Sequence, residues 1–221
     1  MLAPTVSPPT NLSDREISMS NPQLPFSPGD GVLPWTSRDG RELRIRHITP
    51  DDADRLVDFY TRLSERTREL RFATLMMNVP MERVIAEATR LATLNPKNAD
   101  ALVAVLAEEG EDHIVAVARL AGAHGNTAEF ALTVRDDFQS QGLGTFIFDL
   151  LVQVALVHGL KYLTAITLAE NTGMLKIIRR VGFPVGIHTS HGECDVVIYL
   201  DDKKDNPEGE GIKDEGIKDQ G

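Results

Sequence analysis

The residues whose types and spacing suggest chemistry form a polar, glycine-rich run, Gln139-Ser140-Gln141-Gly142-Leu143-Gly144, directly before an apolar segment of helical length. Glycine lets a backbone come close to a ligand, and the first N–H groups of a helix lack partners within that helix. The helix dipole adds about half a positive charge at the same end, so such junctions bind phosphate groups. The run therefore predicts a site for a phosphorylated ligand. A helix cap that binds no ligand is the alternative at this point.

Two common phosphate-binding loops do not fit the spacing of this run. A dinucleotide-binding loop would have a third glycine where this chain has Ile147, and an acidic residue about 20 positions further on. A nucleoside-triphosphate loop would have a lysine after Gly144, where this chain has Thr145. The spacing therefore argues against both ligand classes.

His188, His191 and Cys194 have metal-ligand side chains at short spacing. They lie on both sides of a predicted turn, and an offset of three residues along a strand changes the face of the sheet. We therefore expect no metal site. Cys194 would need an activating partner to act as a nucleophile, so we expect it to be an ordinary packed side chain.

The composition restricts the class of protein. The chain has 221 residues, 42% of them hydrophobic and 25% charged, which is typical of a folded, water-soluble domain. Its net charge of -10 argues against a nucleic-acid partner, because the phosphate backbone requires clustered Lys and Arg. One cysteine excludes an internal disulfide and favours a reducing compartment. We find no secretory signal or membrane-spanning segment, so we expect a cytoplasmic protein without a membrane partner.

The pattern of residues divides the chain into three parts. Residues 1–38 hold seven of the twelve prolines and predict a flexible leader, although Trp35 could pack on the domain and mark its edge. Residues 201–221 contain eight acidic residues and four lysines, which predicts a disordered acidic tail. Residues 39–200 are expected to form one domain.

Apolar periodicity within residues 39–200 predicts a mixed α/β sheet. The predicted strands are 43–47, 101–107, 113–121, 127–134, 162–168, 185–189 and 194–200, and the predicted helices are 50–63, 80–94, 145–158 and 171–181. Asn95-Pro96 is expected to end the second helix. The third has only Asp149 and Gln153 as interior polar residues and should be mostly buried. Three consecutive strands suggest an antiparallel meander, with helices on both faces of the sheet.

The glycine-rich run resembles the Q/R-x-x-G-x-G/A pyrophosphate loop of the GNAT superfamily of acyl-CoA N-acyltransferases. The order of elements over residues 41–200 is also similar to that family. Shorter runs resemble the branch of bacterial protein lysine acetyltransferases: Asp39-Gly40, Ile45-Arg46-His47-Ile48, Thr49-Pro50-Asp51-Asp52, Leu63-Ser64, Leu70-Arg71-Phe72, Ala128-Glu129-Phe130-Ala131 and Asn171-Thr172-Gly173-Met174. The resemblance implies the GNAT fold, an α/β (α+β) architecture whose mostly antiparallel, twisted sheet has splayed central strands.

The resemblance also implies a site for acetyl-CoA that contains no metal. Gly142 and Gly144 would let the backbone approach the CoA pyrophosphate. Backbone groups of the preceding strand would contact the pantetheine arm and polarise the thioester carbonyl. Asn171 would contact that arm or cap a helix. The implied CoA-binding residues are Leu132, Thr133, Val134, Gln139, Ser140, Gln141, Gly142, Leu143, Gly144, Thr145 and Asn171.

By the same resemblance, Glu129 stands where these acetyltransferases carry their proposed general base. Such a base is valuable because a lysine amine has a pKa near 10.4, so its neutral form costs about 4.6 kcal/mol to reach at pH 7. Glu129 precedes Leu132 by three residues, about 10 Å along a strand, which favours proton transfer through one or two waters. The alternative is an ordinary exposed strand carboxylate.

Many GNAT enzymes carry a tyrosine that protonates the departing thiolate, at the position of Ile178 in this chain. The protein lysine acetyltransferase branch also tends to lack it, so the acid is unidentified. Arg179 and Arg180 could contact a CoA phosphate or only complement the helix dipole.

The expected function is direct transfer of an acetyl group from acetyl-CoA to a primary amine, with a protein lysine as the preferred acceptor. A small-molecule amine is the alternative acceptor. A non-catalytic acyl-CoA-sensing domain is the alternative function.

Overall fold

The computed structural model describes residues 31–72, 79–94 and 99–201. Its strands are β1 (Leu33–Thr36), β2 (Glu42–His47), β3 (Asp100–Glu108), β4 (Glu111–His124), β5 (Thr127–Val134), β6 (Tyr162–Leu168), β7 (Val185–Ser190) and β8 (Glu193–Tyr199). Its helices are α1 (Ala53–Arg62), α2 (Glu65–Phe72), α3 (Met81–Ala92), α4 (Leu143–Val157) and α5 (Thr172–Arg180). The strands form one mixed sheet in the order β1-β2-β3-β4-β5-β6-β8-β7, and β5 with β6 is its parallel pair.

The central strands β5 and β6 separate part-way along their length. They pair from Thr127 opposite Tyr162 to Glu129 opposite Thr164, and then diverge. On its other side, β5 stays paired with β4 as far as Val134. The predicted splay is therefore confirmed, and it opens a cleft in the middle of the sheet.

The two faces of the sheet carry separate hydrophobic cores, because successive side chains of a strand point to opposite faces. On one face, α4 is mostly buried, as its sequence predicts, and Phe148 lies 5.0 Å from Phe130 of β5 between ring centroids. On the other face, α1 and α3 pack against β3 and β4 through residues such as Leu56 and Val103. Packing on both faces holds the diverging strands in place.

The structure differs from the sequence-based expectations at three places. Leu33–Thr36 forms a strand paired with β2, and Trp35 is buried against Phe146, so the folded domain extends into the segment expected to be a flexible leader. Helix α2 was not expected, because its sequence is highly charged and has little apolar periodicity. Helix α4 begins at Leu143, two residues earlier than expected, with Gly142 as its N-cap.

Several expectations fall outside the described residues: the rest of the leader (1–30), the Asn95-Pro96 helix stop and the tail after residue 201. Within the described ranges, no helix combines the length and the apolar character needed to cross a bilayer.

Asp149 is the acidic residue within the apolar helix α4, and burial raises its pKa to about 6. Because this folded-state pKa is above the unfolded value of about 3.9, stability is lost as the pH rises between these two values. We expect Asp149→Asn to raise the free energy of unfolding at pH 8 by up to about 3 kcal/mol, and to change it little at pH 4. Urea unfolding at both pH values tests this, and an equal gain at pH 4 would contradict it.

Candidate active site

A cleft of about 400 Å³ opens where β5 and β6 diverge. It brings together β5, the loop before α4 and the start of α5, which are distant in sequence. Most residues expected at the site line it: Glu129, Leu132, Thr133, Val134, Gln139, Ser140, Gly142, Gly144, Thr145 and Asn171. Gln141 and Leu143 are not part of that wall. Leu143 is fully buried in the core, and the Gln141 amide donates to the Asp137 carbonyl oxygen at 2.8 Å.

The loop before α4 has the open backbone that a phosphate site needs. Gly142 has a φ of 96°, a left-handed conformation that residues with side chains disfavour. A Cβ at Gly144 would lie 3.0 Å from Ile177 Cδ1 and 3.5 Å from Val134 Cγ2, so a larger residue there would require the Ile177 side chain to move by a few tenths of an ångström. A Cβ at Gly142 would meet nothing within 4 Å. The backbone around Gly142 therefore forms an open cradle at the N-terminus of α4.

Arg41, just before β2, braces this loop. Its guanidinium carbon lies 3.6 Å from the centroid of the Phe138 ring. The same group forms ion pairs of 2.8 Å with both Asp39 and Asp137. Its hydrogen bond to Asp39 holds the pKa of that carboxyl well below its usual range. These contacts fix the chain before β2 against the segment that follows β5.

Asp136 ties helix α2 to the cleft. Its carboxylate accepts hydrogen bonds from the Ser64 hydroxyl at 2.6 Å and the Thr67 hydroxyl at 2.7 Å. Burial alone would raise the pKa of Asp136, but these hydrogen bonds lower it. The Gln139 amide then donates to Thr67 Oγ1 at 3.1 Å and to the Val134 carbonyl oxygen at 3.0 Å. The polar network thus holds α2 over the end of β5.

Asn171 caps helix α5 while lining the cleft. Its Oδ1 accepts a hydrogen bond from the Met174 backbone N–H at 3.2 Å, and its Nδ2 donates to Thr167 Oγ1 at 3.2 Å. The cap satisfies an N–H group of the first turn that would otherwise lack a helical partner. Of the two roles expected for Asn171, the structure displays the cap.

Glu129 lies at the last paired position before β5 and β6 diverge, opposite Thr164. Its side chain is exposed and lines the cleft. In the described part of the chain, its carboxylate forms no hydrogen bond or ion pair. The group is therefore accessible to a molecule in the cleft.

The fold agrees with the comparison with known families. Residues 42–184 match the family of acetyltransferase (GNAT) domains. The chain belongs to the GNAT family of acetyltransferases. An acetyltransferase of Pseudomonas aeruginosa is 30% identical to it over 146 residues, which cover 66% of this chain and 76% of that protein. Acetyltransferase Pat of Mycolicibacterium smegmatis is 29% identical over 152 residues, covering 68% of this chain and 44% of that protein.

Solved structures show the same GNAT fold. The GNAT domain of S. lividans PAT superposes with a TM-score of 0.64 at 24% identity, over 77% of this chain and 98% of that domain. A cAMP-binding acyltransferase from Mycobacterium smegmatis has a TM-score of 0.51 at 24% identity, over 80% of this chain and 50% of that protein.

The GNAT position that often carries a tyrosine holds Ile178, whose side chain is fully buried. A tyrosine with this orientation would point into the core, so a leaving-group acid would have to come from elsewhere.

Cys194 is also buried, with its sulfur 3.2 Å from Thr189 Oγ1, in agreement with the expectation of ordinary packing. Across the residues that the structure describes, no group of three or more His, Cys, Asp or Glu side chains could hold a metal ion.

The structure places several positive side chains in the cleft, and sequence reasoning missed Arg38 and Lys176 among them. Arg38 donates to the Ser140 carbonyl oxygen at 3.3 Å and lines the cleft, although it lies in the segment expected to be a leader. Lys176, Arg71 and Arg180 also line the cleft. Arg179 does not. The Arg71 position was noted only as part of a family resemblance. No local pattern distinguishes these residues from ordinary surface cations.

Proposed function

We propose that this GNAT acetyltransferase transfers an acetyl group directly from acetyl-CoA to a primary amine of a protein lysine. The observation that carries the proposal is the splay of β5 and β6, with an open glycine loop at one end of the gap and Glu129 at the other. This arrangement suits a long ligand that has a diphosphate at one end and its reactive group in the middle of the sheet. The single cysteine supports a cytoplasmic location.

The chain's own residues would hold acetyl-CoA, which supplies the activated acyl group. The amides around Gly142 and Gly144 would bind the diphosphate, with the charges of Arg38, Lys176 and Arg180 nearby. Beyond Glu129, the side of β5 that faces the gap has no strand partner. Backbone groups there would bind the pantetheine arm and stabilise negative charge on the thioester oxygen.

Glu129 would accept the proton that the ammonium group of the acceptor must lose. It lies several residues before the strand segment that would bind the thioester, so transfer through one or two waters fits the geometry. No side chain is assigned as the acid for the leaving group. A thiol with a pKa near 8.5 leaves as a thiolate with little assistance.

A protein lysine is favoured as the acceptor by the similarity to the bacterial protein lysine acetyltransferase branch. Incubating bacterial proteins with the enzyme, with and without acetyl-CoA, and mapping new acetyl groups by mass spectrometry tests this. New acetyl-lysines support the proposal. Acetylation of free polyamines or amino sugars alone would exclude the protein acceptor, and CoA binding without any transfer would favour a sensor.

The diphosphate site is tested by a pair of glycine variants. Gly142→Ala and Gly125→Ala both place a methyl group at a left-handed φ, 96° and 60°, with nothing within 4 Å. Both should lose about 1 to 2 kcal/mol of stability. Only Gly142→Ala, where the methyl group enters the cradle, should weaken acetyl-CoA binding by about tenfold or more in calorimetry. Equal affinity of the two variants would argue against this site.

A further inference from the structure

A second cavity of about 100 Å³ lies on the face of the sheet covered by α1 and α3. Its wall is mostly apolar, with Leu56, Phe59, Val84 and Val117 among the contributing residues. It shares three wall residues with the cleft: Arg71, Ala131 and Thr133. Because Ala131 and Thr133 follow Glu129 on β5, this cavity adjoins the point where acyl transfer is proposed.

Arg71, on α2, stands at the junction of the two spaces without a carboxylate partner. Within the described residues it forms no hydrogen bond or ion pair, and its guanidinium carbon lies 5.0 Å from the centroid of the Phe72 ring. The acidic residue of the second cavity, Glu87, is already shared between Arg119 at 3.1 Å and Arg90 at 2.6 Å. The charge of Arg71 is therefore not compensated by direct contact.

The surroundings of Arg71 disfavour its charge. Burial, with the positive charge of Arg119 acting in the same direction, lowers the pKa of Arg71 to about 10. The more distant carboxylates of Glu129 and Glu87 act in the opposite direction. The side chain is still protonated at neutral pH. Arg71 is half-buried, so desolvation of its charge has a cost that an incoming anion would offset.

Arg119 offers a further hydrogen-bond donor in the wall of the second cavity. It lines the second cavity, and its buried Nε has no hydrogen-bond partner in the part of the chain that the structure describes. Buried polar groups in proteins are nearly always satisfied, so an unpaired donor beside an unpaired guanidinium points to a missing acceptor.

We propose that Arg71, with Arg119 beside it, binds a carboxylate of the substrate next to the reaction centre. A planar guanidinium pairs with a carboxylate through two parallel hydrogen bonds, which gives orientation as well as affinity. The carboxylate belongs either to the acyl group, as in a thioester of a short dicarboxylic acid, or to the acceptor, as an acidic group near the reacting amine. The inference rests on the proposed acyl transfer, and it concerns selectivity among substrates.

Two matched pairs of substrates test the proposal and separate the two sources of the carboxylate. The first pair is succinyl-CoA and butyryl-CoA with the same amine. The second is a lysine peptide with a neighbouring Glu and the same peptide with Gln, each with acetyl-CoA. We expect native enzyme to prefer the carboxylate member of one pair in kcat/KM by about tenfold or more. The pair that shows the preference identifies the source.

Three variants assign that preference to Arg71. Arg71→Gln should reduce the ratio of kcat/KM between the carboxylate substrate and its neutral counterpart by about 10- to 100-fold. Arg71→Lys should keep part of that preference, because the positive charge remains. The matched control, Arg44→Gln, removes an exposed arginine of β2 that pairs with Asp112, and it should leave the ratio unchanged. Thermal melting establishes that each variant is folded, and Arg71→Lys keeps the test available if Arg71→Gln unfolds.

The outcomes separate this inference from the proposed function. Turnover without a carboxylate preference in either pair, or a preference that survives Arg71→Gln, would overturn the carboxylate site alone. Absence of turnover with every substrate would count against the proposed transfer. In that event, the same two pairs compared by calorimetric affinity still decide whether Arg71 binds a carboxylate.

Discussion

Replacing Glu129 with glutamine should lower turnover by about 10²- to 10⁴-fold, while the affinity for acetyl-CoA stays within about twofold of native. Glutamine keeps nearly the same shape but cannot take a proton from the acceptor amine. The native carboxylate is exposed in the cleft at the point where β5 and β6 part. Initial rates of CoA thiol release with a lysine peptide measure turnover, and calorimetry measures affinity.

Glu193→Gln is the matched control, because Glu193 is also an exposed strand carboxylate but belongs to β8 and does not line the cleft. Its turnover should remain within about twofold of native, since surface substitutions away from the site have small effects. If Glu129→Gln retained native turnover, Glu129 would have no part in the mechanism and would be only an exposed strand residue. If both variants lost activity, the effect would reflect a change in overall charge.

Truncating Phe148 should cost about 3 to 5 kcal/mol of unfolding free energy. Phe148 lies in α4, is fully buried, and packs 5.0 Å from the ring of Phe130 on β5. Phe148→Ala removes that contact and leaves a cavity between helix and sheet. Because domains are stable by only about 5 to 15 kcal/mol, this is a large fraction of the total. Urea unfolding monitored by circular dichroism measures the loss.

Val157→Ala gives a control on the same helix, since Val157 is an apolar residue of α4 that is 48% exposed. It should change the unfolding free energy by about 0.5 kcal/mol or less. If Phe148→Ala lowered the free energy of unfolding no more than Val157→Ala does, the packing of α4 against the sheet would not stabilise the fold as the structure indicates.

Helix α4 contributes both to the stability of the fold and to the proposed acetyl-CoA site. Its apolar length is held in the core against β5, and its N-terminus provides the open glycine cradle. Gly144 packs so closely to the Ile177 side chain of α5 that a Cβ there would need this side chain to shift, whereas Val134 of β5 would stay in ordinary contact at 3.5 Å. Core packing against α5 and β5 therefore helps to position the cradle. We expect changes deep in this core to weaken acetyl-CoA binding as well as stability.

The features that depend on short-range spacing could be predicted from the sequence. The run from Gln139 to Gly144 marked the cradle, because helix termini and glycine backbones have the same physical properties in any fold. The apolar segment that follows marked a buried helix, and the strand at 162–168 matches β6 residue for residue. The resemblance of these segments to a known family then indicated Glu129, whose role is still a prediction.

The features that depend on contacts between distant segments could not be predicted in this way. The sequence predicts that Leu33–Thr36 belongs to a proline-rich leader. The segment forms a strand instead, because β2 supplies its hydrogen-bond partners and the core buries Trp35. Helix α2 has too little apolar periodicity to be recognised, and Asp136, about 70 residues further along the chain, holds its start through hydrogen bonds from Ser64 and Thr67. Arg71 looks like an ordinary surface cation in the sequence. That it has no hydrogen-bond or ion-pair partner among the residues described is a property of its neighbours in space, which local spacing does not encode.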